Sequence, residues 1–338
     1  MESQYHFCME TLTCLVVPKD GDELDVYCST QSLMLVQEAI AQLLNIPENK
    51  INISLRALGG SYGFKLSRGN LVGCAVSLAA HLLNRPVRMI TKLETLMEAT
   101  GKRYPCYFSY EAGVNNEGII QYVNTDVYED DGSAFNDPVV AFRTYSQYPN
   151  IYELTTWGTK MQDVKTDKTC NIWARSPGSL EAITMSEHIV EHIAHELRMD
   201  PLSLRMKNVD PQYVKSVDKM VSLVKEKSDF ENRKIYVEDF NKKNVWKKRG
   251  ISLVPMKFSL ASLGTFHAMV SIYRNDGTVA VTHAGVEMGQ GINTKAAQAC
   301  AAALKIPLDK VRVKATDNLT SPNDTPTGGS FTSEAIVL

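Results

Sequence analysis

The stretch LGGSYGFKLSRGN, Leu58 to Asn70, sets two adjacent glycines, a third at Gly63 and a lysine at Lys65 ahead of an apolar run of helical character. Glycines at a strand-to-helix corner let main-chain N–H groups approach an anion, and the helix dipole adds to the attraction. The nucleotide-binding patterns do not fit. A Walker loop needs glycine before the lysine and Ser or Thr after it, where Phe64 and Leu66 stand. The dinucleotide pattern needs glycine in place of Ser61. These residues leave two readings, a cradle for some other anion or a tight turn without a ligand.

Three further stretches carry chemistry. In THAGVEMGQGINTK, Gly285, Gly289 and Gly291 interleave with Glu287 and Gln290 before a helix whose first turn holds Asn293 and Thr294. Main-chain donors beside a glutamine amide suit a ligand with phosphate and heterocyclic edges, and a plain connecting loop rarely needs so many glycines. IWARSPGSLEA places Arg175 in a turn fixed by Pro177 and Gly178, ahead of a helix for which Ser179 is the expected cap and Glu181 a first-turn acid. The plainer reading there is a lone surface arginine. HIVEH fits a zinc spacing. Helical geometry, however, gathers His188, Glu191, His192 and His195 on one face and Ile189, Ile193 and Leu197 on the other, as in a helix packed on one side and wet on the other. No serine occupies a G-x-S-x-G elbow, and no cysteine has a recognisable histidine partner.

The elements that must position these loops are legible around them. LTCLVVP and ELDVYC read as strands joined by a KDGD turn, with Gly21 free to take a positive φ. SLMLVQEAIAQLLN has helical spacing and stops before Pro47. KINISLRAL alternates as a strand, NLVGCAVSLAAHLL predicts a helix buried on most sides, and PVRMITK a return strand, giving a βαβ unit. MDPLSLRMKN predicts a helix with Asp200 as cap and Pro201 in its first position.

Part of this pattern recurs. AALKIPLDKVRV repeats QLLNIPENKINI: Leu304, Ile306, Pro307, Lys310, Val311 and Val313 match Leu44, Ile46, Pro47, Lys50, Ile51 and Ile53. Each copy follows a helix pattern and precedes a glycine loop, GGSYG from Gly59 and GGSFT from Gly328. Two related lobes that each offer a glycine loop to one ligand are expected. The second copy halts where its helix should begin, so the sequence reads as cut short. Residues 211–249 are charged and helix-prone, the composition of a solvated connecting helix. The expected division is 1–210, the connector 211–249, and an incomplete lobe 250–338.

Bulk composition removes several function classes. Lys and Arg total 36 against 38 Asp and Glu, so no net field favours nucleic acid or an anionic membrane. The first ten residues lack a signal-peptide pattern, and no apolar run is long enough to span a bilayer. Seven scattered cysteines, with no CxxC pair, predict reduced thiols in a cytoplasmic protein and exclude a self-contained iron–sulfur or zinc-ribbon site.

Taken in order, METLTCLVVP, STQ, LGGSYGFK, NRPVRM, ARSPGSLEA, DPLSLRMKN, NKKNVWKKRG, VEMGQGINTK and PTGGSFTS resemble the molybdenum-binding region of the xanthine dehydrogenase/aldehyde oxidase family, and most of all that of insect aldehyde oxidases. The resemblance implies an α+β fold of two related lobes gripping a molybdopterin, the second lobe truncated here. It implies hydroxylation of an aldehyde or N-heterocycle with water as oxygen source. A protein glutamate acts as base, and electrons leave through [2Fe–2S] centres to FAD in the full-length enzyme.

Carried onto this sequence, the resemblance has Gln31 bonding a molybdenum oxo group, Tyr62 and Gly63 lining the metal site, and Arg175 contacting it through its main chain. Met288, Gly289 and Gln290 would touch the pterin. Thr327 and the run Gly328, Gly329, Ser330 and Phe331 would do the same, with Gly329 near the metal. Leu66, Pro177 and Leu263 would line the substrate pocket. The family's purine-oxidising branch has Glu where Leu66 stands, so Leu66 favours apolar aldehydes. Phe64 replaces a small residue and is expected to narrow the site or crowd the pterin. The base glutamate belongs to a Gly-Glu-Pro segment expected beyond Leu338, and the iron–sulfur and FAD domains before Met1, so the chain alone is expected not to turn over aldehydes. The full-length enzyme is expected to be a homodimer that binds neither nucleic acid nor membrane. The alternative is a degenerate, non-catalytic paralogue kept for binding or assembly, which Phe64 and Leu66 favour.

Overall fold

The computed structural model describes residues 1–134, 137, 140–153, 155–258 and 264–337. The elements in chain order are β1 (Thr13–Lys19), β2 (Glu23–Cys28), α1 (Leu33–Leu44), β3 (Ile51–Leu55), α2 (Gly69–Leu83), β4 (Val87–Ile90), α3 (Leu93–Ala99), β5 (Cys106–Val114), β6 (Ile120–Gly132), α4 (Val140–Gln147) and β7 (Trp157–Lys165). They continue with α5 (Ser179–Glu196), α6 (Pro201–Lys207), α7 (Val214–Lys227), α8 (Phe230–Lys243), β8 (Ala268–Ile272), β9 (Val279–His283), α9 (Ile292–Leu304), β10 (Val311–Val313), β11 (Thr316–Asp317) and α10 (Thr332–Val337). The mixture is α+β, as expected. No helix among the described residues is long and apolar enough to cross a membrane.

The first sheet has the order β11-β3-β2-β1-β4. β1 and β2 form the antiparallel hairpin, with Gly21 at φ +74° in its turn. Ser32 caps α1 by accepting a hydrogen bond from the N–H of Leu35, and Asn45 ends the helix in the left-handed region before Pro47. Val36 and Ile40 of α1 and Val72, Val76 and Ala80 of α2 share one core with Val16, Val26 and Ile53 of the sheet. Gly73 lets the helices close up, since a Cβ there would lie 3.0 Å from Val36.

Two expectations change here. The parallel neighbours are β2 and β3, joined through α1, whereas β4 pairs antiparallel with β1. The β1–β2 hairpin thus fills the two places between β3 and β4. Nor is α2 buried on most sides: Leu71, Leu78, Leu82 and Leu83 are exposed, because only the face carrying Val72, Val76 and Ala80 meets the sheet.

The internal repeat is a repeat of structure. β8, β9, α9 and β10 reproduce β1, β2, α1 and β3, with an antiparallel pair followed by a parallel one. Ile46 and Ile306 each donate to the carbonyl five residues back, Ala41 and Ala301, and Lys50 and Lys310 donate to Pro47 and Pro307. The left-handed residue that stops the helix is Asn45 in one copy and Lys305 in the other. The second copy then adds β11 to the edge of β3, so the two copies share a sheet.

A second core lies between the β5–β6–β7 sheet and α5, with Val123 and Val127 against Ala182, Met185, Ile189 and Ile193. His188, His192 and His195 face solvent as the helical spacing requires. Among the described residues no group of three or more His, Cys, Asp or Glu is placed to hold a metal ion. Asp200 caps α6, with Pro201 in the first turn. The single solvated connector is corrected. Residues 214–243 form two helices, and α7 buries Val217 and Val221 in the second core.

Candidate functional site

Gln31 follows β2 and caps nothing; its buried amide holds two loops at once. Its Oε1 accepts from the N–H of Gly63 at 3.1 Å and from the Ser61 hydroxyl, and its Nε2 donates to the Thr327 carbonyl at 2.7 Å. Its main chain accepts from the N–H of Thr327 at 2.9 Å and donates to the Lys65 carbonyl at 3.0 Å. The GGSYG and TGGS loops are thereby joined through one side chain. The VEMGQG loop joins them, because Leu58 donates to the Glu287 carbonyl at 2.8 Å and Val286 to the Thr327 hydroxyl at 2.9 Å. The three glycine loops form one cleft wall.

The opening motif divides by burial. Tyr62, at φ +56°, is exposed, whereas Ser61, Phe64, Lys65 and Leu66 are buried. Lys65 points away from the loop mouth to an ion pair with Glu10 at 2.6 Å, and Glu10 also accepts from the N–H of Gly59. Phe64 is 1% exposed and its ring lies 5.1 Å from that of His6, inside the first core. It does not narrow the cleft, contrary to expectation, and lends no weight to a non-catalytic paralogue.

The segment 171–178 closes the other side. Gly63 has φ +98°, and a Cβ there would lie 2.4 Å from the Trp173 carbonyl oxygen, so the loop and this segment meet main chain to main chain. Arg175 donates its N–H to the Tyr62 carbonyl at 2.8 Å and holds its exposed guanidinium over the Tyr62 ring at 5.9 Å. Ser179 is not the cap of α5. That place belongs to Gly178 at φ +76°, where the chain packs so close to Arg143 and Thr144 that only glycine fits. Arg143 reaches from there to the Gly329 carbonyl at 3.5 Å.

The VEMGQG loop is held from within. Glu287 accepts from the N–H groups of Gly289, Gly291 and Asn293. Burial raises its pKa, but those three donors outweigh it and hold the carboxyl below the usual range. Gln290 folds back, accepting from Met288 and donating to the Val286 carbonyl, so its amide serves the loop instead of the free bifunctional role expected. Met288 packs on the first core. Gly289, Gly291 and Gly328 have open space where a Cβ would be, and Gly289, Gln290, Gly329 and Ser330 are exposed. Phe331 lies 6.3 Å from Phe266. Pro177 is half-buried; Leu263 lies outside the described residues.

Sequence reasoning missed the residues behind the cleft. The N-terminal segment braces it: Cys8 donates to the Ser61 carbonyl and His6 bonds the Trp173 carbonyl at 2.7 Å. Gly101 is needed because a Cβ would sit 1.6 Å from the Cys170 carbonyl oxygen. Buried Arg103 bonds Gln4, Glu181 and the Arg175 carbonyl. These partners are far apart in sequence, and a glycine ahead of a strand was the single local signal.

Glu129 lies behind the same turn, accepting from the Thr144 hydroxyl at 2.6 Å. Burial pushes its carboxyl up to about 7 against the pull of that hydrogen bond, with Glu181, Asp163 and Asp131 adding repulsion. The folded chain therefore holds a proton that the unfolded chain releases near pH 4.5. Stability from this group is full below that pH and is lost as pH rises through 7, by roughly 3 kcal/mol. Glu129→Gln is expected to abolish the loss, so the variant gains on the wild type between pH 5 and pH 8 in urea unfolding. An equal difference at both pH values contradicts the assignment.

The cleft wall is thus made of open glycine main chain, with Arg143 and Arg175 beside it and the carboxylates of Glu287 and Glu10 already engaged by the loops themselves. Two arginines beside open, side-chain-free glycine backbone suit a large anionic heterocycle, and the residues fit a phosphate-bearing pterin. The model of a molybdopterin cofactor-binding domain matches residues 1–209, and a second such model matches 223–337. The chain belongs to the xanthine dehydrogenase/aldehyde oxidase family, in its molybdopterin-binding region. Molybdopterin is the cofactor of these family domains. Aldehyde oxidase 2 of Macaca fascicularis is 34% identical over 347 residues, covering 97% of this chain and 25% of that protein. Xanthine dehydrogenase of Dictyostelium discoideum is 35% identical over 347 residues, covering 98% and 26%. The chain so spans about a quarter of the length of these curated family members. The aldehyde oxidoreductase of Desulfovibrio desulfuricans shares the fold, with a TM-score of 0.81 at 21% identity, over 100% of this chain and 39% of that one.

Proposed function

We propose that the chain is the cofactor-holding part of a molybdenum hydroxylase that oxidises aldehydes to carboxylic acids. Water supplies the added oxygen, and two electrons leave for iron–sulfur and FAD domains carried elsewhere in the enzyme. The observation behind this reading is the Gln31 amide, which reaches Thr327, 296 residues on, and so ties the GGSYG and TGGS loops into one cleft. Residues 1–210 and 250–338 act as the two gripping lobes, joined through 211–249.

A bound molybdopterin supplies the two-electron redox centre. The chain's own residues bind and orient it. The exposed main chain at Gly289, Gln290, Gly328, Gly329 and Ser330 would lie against the pterin and its phosphate, with Met288, Thr327 and Phe331 behind. Arg143 and Arg175 offset negative charge. Gln31, whose amide has one N–H beyond the bond to Thr327, stands with Tyr62, Gly63, Arg175 and Gly329 at the metal end. Leu66 and Pro177 give the substrate side an apolar lining, with Leu66 offering no charge to a polar purine. Glu287, bound to its own loop, is not a base.

Incubation of the purified chain with molybdenum-loaded molybdopterin is expected to leave about one molybdenum and one pterin per chain, read by metal analysis and fluorescence of the oxidised pterin. A chain that retains neither overturns the reading. In the full-length enzyme, dye reduction is expected with an apolar aldehyde and not with xanthine, and the reverse preference sinks the substrate assignment.

A further inference from the structure

We propose that Arg103 is the positioning residue of the metal end of the cleft, fixing the main chain at Arg175 and so its contact with the Tyr62–Gly63 turn. The inference rests on the reading of this cleft as the cofactor site. Arg103 is buried between the N-terminal segment, the 171–178 segment and the first turn of α5. Its Nε donates to the Gln4 side chain at 2.9 Å, one terminal nitrogen to Glu181 at 3.0 Å and the other to the Arg175 carbonyl at 2.6 Å. Its own N–H donates to the Gln4 carbonyl at 3.0 Å, so the base of the side chain is fixed as well. A planar, always-charged fork is the group that can serve three fixed acceptors in different directions.

Two features of the turn need such a hold. Ser176, at φ +57°, and Gly178, at φ +76°, both lie in the left-handed region within three residues of Arg175. For a serine that conformation is disfavoured and persists only when its surroundings impose it. Gly178 is fixed from one side by Arg143 and Thr144, and Arg103 fixes the carbonyl on the other. Stability does not account for Arg103, because a buried ion pair such as Arg103–Glu181 is often no better than an apolar pair of similar volume. Its geometry does account for it. Glu181 sets the guanidinium relative to α5, and the free arm of the fork reaches the one carbonyl that precedes the turn.

The test compares the purified full chain with Arg103→Lys, Arg103→Met and the double variant Arg103→Leu/Glu181→Leu, which removes both charges together. Thermal unfolding reports stability, hydrogen exchange of peptides covering 171–178 reports the turn, and molybdenum and pterin retention after loading with molybdenum-loaded molybdopterin reports the site. The double variant is expected to melt near the wild type while exchange at the Arg175 amide quickens at least tenfold and pterin retention falls at least tenfold. Arg103→Lys, with charge but no fork, is expected to quicken exchange by less than the double variant. If the double variant does not fold, Arg103→Lys decides, and wild-type exchange in that variant overturns the proposal. Wild-type exchange in a folded double variant overturns it equally. A wild-type chain that retains no pterin, while the double variant still loosens at Arg175, defeats the cofactor reading and leaves the positioning role standing.

Discussion

Gln31→Leu is expected to lower stability by about 3–5 kcal/mol and to abolish molybdopterin retention, since it leaves the buried Ser61 hydroxyl and Thr327 carbonyl without their partner, at roughly 1–3 kcal/mol each, and the half-buried Gly63 N–H as well. Leucine is close to glutamine in length, so steric loss is small and the effect reports the hydrogen bonds. Gln31→Glu separates the two halves of the junction. It keeps an acceptor for Gly63 and Ser61 but turns a carboxylate oxygen toward the Thr327 carbonyl. Retention is then expected to fall while the first glycine loop keeps its protection from exchange. Urea unfolding and pterin fluorescence measure both variants. A Gln31→Leu chain with the wild-type urea midpoint and full retention means the loops are joined by something other than this amide.

Gly63→Ala is expected to be the second most damaging single change. Alanine is strained at φ +98°, and its Cβ would lie 2.4 Å from a main-chain oxygen that cannot rotate away. Gly289 is the control, with a similar φ of +106° and nothing within 4 Å of its Cβ position. Gly289→Ala then shows the conformational strain alone, about 1–2 kcal/mol. Gly63→Ala adds the displacement of the 171–175 segment and is expected to reach roughly twice that, in the range of overpacked or strained core sites. Melting temperatures compare the two. Equal losses would show that Gly63 is kept for its backbone angle and not for the close approach of Trp173.

How much of this was legible in the sequence follows from the range over which each decision is made. The α1 cap at Ser32, the stop at Asn45 before Pro47 and the start of α6 at Asp200 are settled within a few residues, so local spacing finds them. The repeat was legible because it is two copies of one local unit. The cap of α5 was misplaced because Gly178 takes that role through packing against Arg143 and Thr144, about thirty-five residues earlier. Phe64 was set in the cleft by its neighbours in the motif, yet a turn begins at Ser61 and sends the ring back to His6. Arg103 and the Lys65–Glu10 pair were invisible, since their partners lie 55 to 99 residues away and neither residue type is unusual where it stands. Composition predicted the exposure of 211–249, but could not show which residues of α7 would dock, because Val217 and Val221 recur at helical spacing amid lysines.

The bond between Gln31 and Thr327 also sets a clock. The two residues are 296 positions apart, so during synthesis at roughly 5–20 residues per second the first must wait about 15–60 s for the second. Through that interval Ser61 and Gly63 already have their acceptor, and the first lobe can fold, but the cleft has one wall. On the proposed reading, the two walls that would receive the cofactor come together only after the TGGS loop has left the ribosome.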